Sequence, residues 1–357
     1  RSTHNAPRTT RMLPLIAFTS ALGLSVIGTL LGLWAGQRLG IMQTPGGRRT
    51  HARPVSRLGG LALLTGFVGT GIGLFLLAPL PQDGNLHVPL LGALAGTAFA
   101  IVWGLADDRF ELAATPQFLL QAITAAIAVA ADLVIGEVTL PSAFDFGVRP
   151  TTFQWYLSIP LTVFWVMGMM NTINWLDGLD GLAAGVAAIA ATCFAAHSYF
   201  NLQQQEIALY SLALAGACVG FLLFNFHPAR IFLGSAGAMG LGFALAALSI
   251  IAPARVMTAL LVLAIPIADV AFQIVDRWRR GQSPLRGDRG HIHFRLSDLG
   301  LPQRPIVLGY YVVCAAYGLA ALWIESRWVK VGIFLTLIAA VFAVLTWMRN
   351  RSPKRVE

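Results

Sequence analysis

Charge is what this sequence has least of. Charged residues make up 11% of the 357, and only 16 are acidic, where a water-soluble domain carries nearer a quarter. Hydrophobic residues fill 56% of the chain, so a soluble globular protein is excluded: too little polar surface exists to cover them. Cysteine is nearly absent as well. Cys193, Cys218 and Cys314 fall within apolar runs and share no metal-ligand spacing, which excludes a thiolate metal centre and a redox role and leaves three small hydrophobes. No low-complexity tract or repeat is present. The glycine patch Gly69, Gly71 and Gly73 lies inside an apolar run and follows no strand pattern, which excludes a dinucleotide loop.

What the chain has instead is one long apolar run after another. A helical membrane span needs about 20 mostly apolar residues, and helices satisfy their own backbone groups in lipid. Such runs occur at 12–36, 58–80, 89–106, 118–135, 157–173, 182–199, 206–225, 231–250, 255–275, 307–324 and 328–348. The expected fold is therefore an all-α polytopic membrane protein, a bundle of about 11 transmembrane helices. The first run leads into many like it and reads as a retained span rather than a signal peptide. The expected organisation is an N-terminal tail (1–11), one integral-membrane domain (12–348) with an Arg/His loop inside it (276–306), and a basic tail (349–357). The stretch 136–156, with Pro141, Asp145 and Pro150, reads as an external loop with a short strand pair. Gly28, Gly32 and Gly36 share a helix face that permits close helix contact.

The formal net charge is +9, and its placement sets the orientation. Arg38, Arg48, Arg49, Arg53, Arg57, Arg109 and Arg230 fall on one side, joined by Arg277 through Arg304 and the C-terminal tail, while the loops of the other side have little beyond Arg149 and Arg327, the N-terminal tail with Arg1, Arg8 and Arg11 being the exception. The positive-inside rule then puts the N-terminus outside and the C-terminus in the cytoplasm. Arginines interleaved with apolar runs meet anionic lipids or phosphates, not nucleic acid.

The scarce carboxylates gather on that arginine-rich side. Asp107 and Asp108 are adjacent, so each raises the other's pKa unless a cation, arginine or solvent compensates; they read as a metal or substrate-base site, or as a solvated helix end. Asn171, Asn174, Asp177 and Asp180 recur every third residue, which keeps consecutive members close on a helical surface and supplies oxygens suited to magnesium. In the ninth loop, Arg286, Arg289, His291, His293 and Arg295 supply forked donors for phosphate and two imidazoles. Asp269 and Asp276 flank that loop, and a carboxylate at such depth pairs or binds something.

Taken together, these clusters resemble the polyprenyl-phosphate N-acetylhexosamine-1-phosphate transferases, relatives of the phospho-N-acetylmuramoyl-pentapeptide transferases. The resemblance runs from Arg48 to Leu299 through Arg57-Leu58-Gly59-Gly60, Gly104 to Asp108, Asn171 to Gly181, Phe232-Leu233-Gly234 and Arg289 to Leu296. It implies a Mg2+-dependent transfer of a sugar 1-phosphate from a UDP-amino sugar, UDP-N-acetylglucosamine favoured, to undecaprenyl phosphate, with release of UMP. It also implies the bacterial inner membrane, a cytoplasmic site and the start of cell-surface glycan synthesis. Carried over, the catalytic residues are Asp107, Asp108, Asp177 and Asp180, and the metal ligands are Asp177 and Asp180 with Asp107 as a further candidate. Asn171, Asn174, Arg49, Arg286, Arg289, His291, His293 and Arg295 bind substrate.

The chain departs from that pattern in places. Ser235 stands where relatives place a magnesium-coordinating aspartate, Phe294 stands for a histidine, and the lysines that relatives carry near Arg49 and around Thr115 to Gln117 are missing. Either the chain is a catalytically impaired relative, or it belongs to a subgroup that recruits another oxygen ligand, with Asp177, Asp180 and Asp269 as candidates for that replacement. A membrane transporter or scaffold is a further alternative, and whether the chain forms a homodimer is open.

Overall fold

The computed structural model describes residues 8–43, 54–78, 86–136, 155–251, 254–282 and 290–351. Each apolar run folds into helix. In chain order α1 spans Arg8–Leu39, α2 Gly60–Leu63, α3 Thr70–Leu77, α4 His87–Phe110 and α5 Ala114–Ala130. Next come α6 (Trp155–Leu176), α7 (Leu182–Ala196), α8 (Gln205–Asn225) and α9 (Gly234–Ile250). The last five are α10 (Ala254–Val262), α11 (Ala264–Arg279), α12 (Ile292–Asp298), α13 (Gln303–Trp323) and α14 (Arg327–Arg351). A π-helical stretch, Leu64–Gly69, joins α2 to α3, and His197–Asn201 continues α7 in the same form.

Among the described residues, 8 stretches are long and apolar enough to cross a membrane, or 9 if α10 and α11, bent by 77°, count as one. The fold class stands as expected, and the difference from eleven has a physical origin. The fourth and eighth runs become α5 and α9, each of 17 residues, about 26 Å at 1.5 Å per residue against a hydrocarbon core of about 30 Å. Every residue of α9 from Ala236 to Ile250 is buried. It is apolar all round because protein surrounds it, a pattern that sequence alone does not separate from a lipid-facing span. Its neighbours are α2, α4, α6, α7, α8 and α10, so α9 is the core of the bundle, while Leu30, Phe164, Leu223, Val312 and Leu319 face outward.

The strand pair expected within 136–156 falls largely outside the described residues. A different one is present: β1 (Met42–Gln43) pairs antiparallel with β2 (Val55–Ser56), Met42 opposite Ser56. The Ser56 carbonyl accepts the Phe232 N–H at 2.8 Å, and the Phe232 carbonyl accepts the Gly59 N–H at 3.0 Å. These bonds lay residues 55–59 along 231–234 and set Arg57 beside the start of α9. The glycine row of α1 makes the close contact expected of it: a Cβ at Gly28, Gly32 or Gly36 would run into residues 56–65.

Candidate active site

The end of α4 meets the start of α9 through one side chain. Asp108 accepts the Ser235 N–H at Oδ1 (2.9 Å) and the Ala236 N–H at Oδ2 (3.0 Å), so it satisfies orphan donors at a helix N-terminus and places negative charge where the helix dipole favours it. Arg57 Nη2 lies 3.2 Å from the same carboxylate, whose side chain is fully enclosed. Asp107 faces a different set of partners: Leu112 N–H and Gln117 Nε2 donate to its Oδ1 at 3.0 and 2.9 Å. The adjacent aspartates take separate donors, which offsets part of their mutual repulsion.

The joint turns on Gly234, whose φ is +71°. A Cβ there would stand 2.3 Å from the Arg57 carbonyl and 2.6 Å from Asp108 Oδ2. Left-handed backbone costs an L-residue about 1–2 kcal/mol, and the clash adds to that. Gly234→Ala is therefore expected to destabilise the protein by on the order of 2–3 kcal/mol, read as a lower melting temperature in detergent, whereas Gly73→Ala, with open space around it, is expected to melt as the native chain does.

The Asn171–Gly181 segment lies against this joint. Asn171 exchanges bonds with Gln121, donating to Gln121 Oε1 at 2.6 Å, and also donates to the Met167 carbonyl at 2.8 Å. Asp180 Oδ2 sits 2.8 Å from His227 Nδ1 and accepts the Ala229 N–H at 3.1 Å. Asn174 and Asp177 differ from both: among the described residues neither side chain makes a hydrogen bond. The Asp177 N–H donates to the Ile173 carbonyl at 3.1 Å, so the helical turn continues past Leu176 and keeps Asn174 and Asp177 neighbours. The protein packed around Asp177 and the charges of Asp108 and Asp180 push its carboxyl up to about 7, against the pull of Arg57. Asp108, Asp177, Asp180 and Arg57 therefore share one electrostatic neighbourhood.

The histidine turn docks on the same segment. A Cβ at Gly178 would lie 2.3 Å from His293 Nε2, and the Trp175 and His291 ring centroids are 5.9 Å apart. The Arg277 guanidinium stands 5.6 Å over the Trp175 ring. His291 Nδ1 lies 3.1 Å from Asp269 Oδ2, and Arg295 donates from Nε to the Gly290 carbonyl at 2.6 Å. Arg49, Arg286 and Arg289 lie outside the described residues.

Do these residues suit a divalent cation? Among the described residues no three His, Cys, Asp or Glu side chains surround one point. Magnesium, however, takes one or two carboxylates and fills its shell with water and substrate phosphates. A carboxylate without a donor, crowded by two like charges and adjoined by a free amide, fits that mode. Asp177 and Asn174 are the pair that fits.

Sequence reasoning missed several participants. Arg57 enters the sequence reading for orientation and in the Arg57-Leu58-Gly59-Gly60 motif but not as the partner of Asp108, Gln117 enters only as a place where a lysine is missing, and Gln121, Asn225, His227 and Tyr311 carry no signal there. Asn225 Oδ1 accepts the Gly181 N–H at 3.0 Å and the Tyr311 hydroxyl donates to the Gly181 carbonyl at 2.5 Å, so the turn after Asp180 is held by α8 and α13. These are lone residues, some at helix ends and others, Gln121 and Tyr311, in mid-helix, and no spacing marks them.

Comparison with known proteins agrees with the geometry. The model for glycosyl transferase family 4 matches residues 90–253. A probable undecaprenyl-phosphate N-acetylglucosaminyl 1-phosphate transferase of Bacillus subtilis is 30% identical over 314 residues, 85% of this chain and 83% of the relative. A decaprenyl-phosphate N-acetylglucosaminephosphotransferase of Mycobacterium tuberculosis is 34% identical over 340 residues, covering 87% and 82%. A phospho-N-acetylmuramoyl-pentapeptide-transferase of Halalkalibacterium halodurans is 34% identical over 198 residues, covering 53% and 56%. The chain belongs to the polyprenyl-phosphate N-acetylhexosamine-1-phosphate transferase family and is a multi-pass membrane enzyme of that type.

Proposed function

We propose that the protein transfers N-acetylglucosamine 1-phosphate from UDP-N-acetylglucosamine to undecaprenyl phosphate, releasing UMP and leaving a lipid pyrophosphate that carries the sugar. An oxygen of the lipid phosphate attacks the sugar-linked phosphorus in line; the new P–O bond forms as the bond from that phosphorus to the UMP oxygen breaks. Both reactants are anions, so the site must offset their repulsion. The observation that carries the reading is Asp177: a carboxylate without a donor among the described residues, set between the Arg57–Asp108 joint and the histidine turn. Asp177 and Asn174 would hold Mg2+, which when bound neutralises phosphate charge. His291, His293 and the arginines of the ninth loop bind the phosphates, and Arg57 tempers the carboxylate cluster. Direct attack is favoured over a phospho-aspartate, since the lipid phosphate is itself the nucleophile.

Other features support the acceptor and the sidedness. An apolar cavity of about 470 Å³, lined by Ile265, Ile292, Leu296, Tyr310 and Val341 among others, adjoins the histidine turn and suits part of an isoprenoid chain. Arg57, Arg277, Arg280, Arg304 and Arg349 all make contacts at the site's end of the bundle. The positive-inside rule makes that end cytoplasmic, in a bacterial inner membrane. The far end of α1 and the end of α14 then lie on opposite faces, the N-terminus outside.

Ser235 favours a second reading, an impaired relative, because a neutral hydroxyl is a poorer magnesium ligand than a carboxylate and no carboxylate trio is assembled among the described residues. One substitution separates the two. With labelled UDP-N-acetylglucosamine, undecaprenyl phosphate and a magnesium titration, native protein is expected to make product at millimolar metal. Ser235→Asp is expected to reach half-maximal rate at about tenfold less metal. Product from Ser235→Asp alone would establish the impaired reading.

A further inference from the structure

We propose that Asp269 is a positioning residue that fixes the ring and the proton of His291, so that His291 meets substrate phosphate through Nε2; this deepens the transferase reading and rests on it. The pair is enclosed, with side-chain exposures of 6% for His291 and 5% for Asp269, and Nδ1 lies 3.1 Å from Oδ2. A carboxylate accepts, so the proton of the contact sits on Nδ1 and Nε2 is the ring nitrogen left over. Among the described residues Nε2 has no hydrogen-bond partner.

The same carboxylate sets where the ring is. Both Asp269 oxygens lie 3.3 Å from the Ile292 N–H, the first residue of α12. One turn along α11, Gln273 Nε2 donates to the Gly290 carbonyl at 2.6 Å. Asp269 and Gln273 thus grip the backbone on both sides of His291 and leave the ring little freedom. Its remaining neighbours are aromatic: Trp175 at 5.9 Å and His293, stacked at 5.7 Å. Trp175 belongs to the Asn171–Gly181 segment, two residues before Asp177, so a ring held by Asp269 is a ring held against the segment that carries Asp177. In metal and protease sites alike, the group behind a histidine chooses its tautomer and aim. Here that group is on α11, the second half of the bent pair, which explains a carboxylate buried on that helix.

Asp269→Asn isolates the claim because it is isosteric. The asparagine oxygen still accepts the Ile292 N–H, so the turn stays docked, but its amide donates to Nδ1 and moves the neutral ring's proton to Nε2. Purified Asp269→Asn is expected to lose about 10²–10⁴-fold in kcat, with the donor KM within about threefold of native and an unchanged melting temperature. The double variant Asp269→Asn/His291→Ala is expected to be no slower than His291→Ala alone. Multiplying losses would overturn the proposal, as would native kcat in Asp269→Asn. A separate arm needs no substrate: in protein labelled with 15N-histidine, the His291 resonances, assigned by their loss in His291→Ala, are expected to switch from the Nδ1–H to the Nε2–H pattern in Asp269→Asn. An unswitched pattern overturns the proposal even if the enzyme is active. Absence of product from native protein instead overturns the transferase reading, and the tautomer switch alone then decides whether Asp269 holds the proton.

Discussion

Asp177→Asn is expected to lower kcat by about 10³-fold or more while leaving the melting temperature equal to native or higher. The two effects point in opposite directions because the role proposed for Asp177 is toward substrate rather than fold. Its side chain accepts no hydrogen bond among the described residues, so an amide of equal size abandons no protein partner. It sits near Asp108 and Asp180, whose charges disfavour its own, so neutralising it relieves repulsion in the resting protein. On the proposed reading, what is lost is the charge that would face a cation and two phosphates, since magnesium depends on the few carboxylates it has. Initial rates at saturating magnesium, with melting followed in the same detergent, check both arms. A fall in rate that tracked a fall in melting temperature would make Asp177 a structural residue.

Arg57→Ala is expected to have the largest effect on stability, about 3–5 kcal/mol. Asp108 has no exposed side-chain surface and lies 3.2 Å from Arg57 Nη2. Two backbone N–H groups of α9 would still bond it, but the compensating charge would be gone, and a buried charge stripped of its partner is costly. Arg57 also approaches Glu111 at 3.5 Å, a side chain 76% exposed, where a pair contributes little. Glu111→Gln is therefore the control: near-native melting is expected there, against a pronounced drop for Arg57→Ala. Equal melting of the two variants would mean that Asp108 is held by the start of α9 alone.

These residues show what the sequence made legible and what it hid. The apolar runs marked every helix but α12, which lies in the Arg/His loop, because burial from water and burial in lipid both demand apolar side chains. For the same reason α9, which protein surrounds, does not read apart from a lipid-facing helix, and the 77° bend between α10 and α11 is marked in the sequence by Pro266, the third residue of α11. The segments Asn171–Gly181 and Arg289–Leu296 were visible as polar islands, and the structure brings Gly178 against His293. Within each island the sequence did not tell a free carboxylate from an engaged one. Asp177 and Asp180 look alike in the repeat, yet Asp180 is taken by His227 and Ala229, and His227 arrives from the far end of α8. Asp107 and Asp108, adjacent in the chain, serve Gln117 and the start of α9 respectively. Partners separated by tens of residues are set by the packing of the bundle, which one sequence does not spell out.

The central claim, that a lipid phosphate displaces UMP from a sugar nucleotide at this site, is tested most directly by following UMP release from purified protein with and without undecaprenyl phosphate. With UDP-N-acetylglucosamine labelled in the sugar and magnesium present, UMP and labelled lipid are expected in equal amounts, both absent when the acceptor is left out. Release of UMP without acceptor, or binding of the sugar nucleotide with neither product, would contradict it.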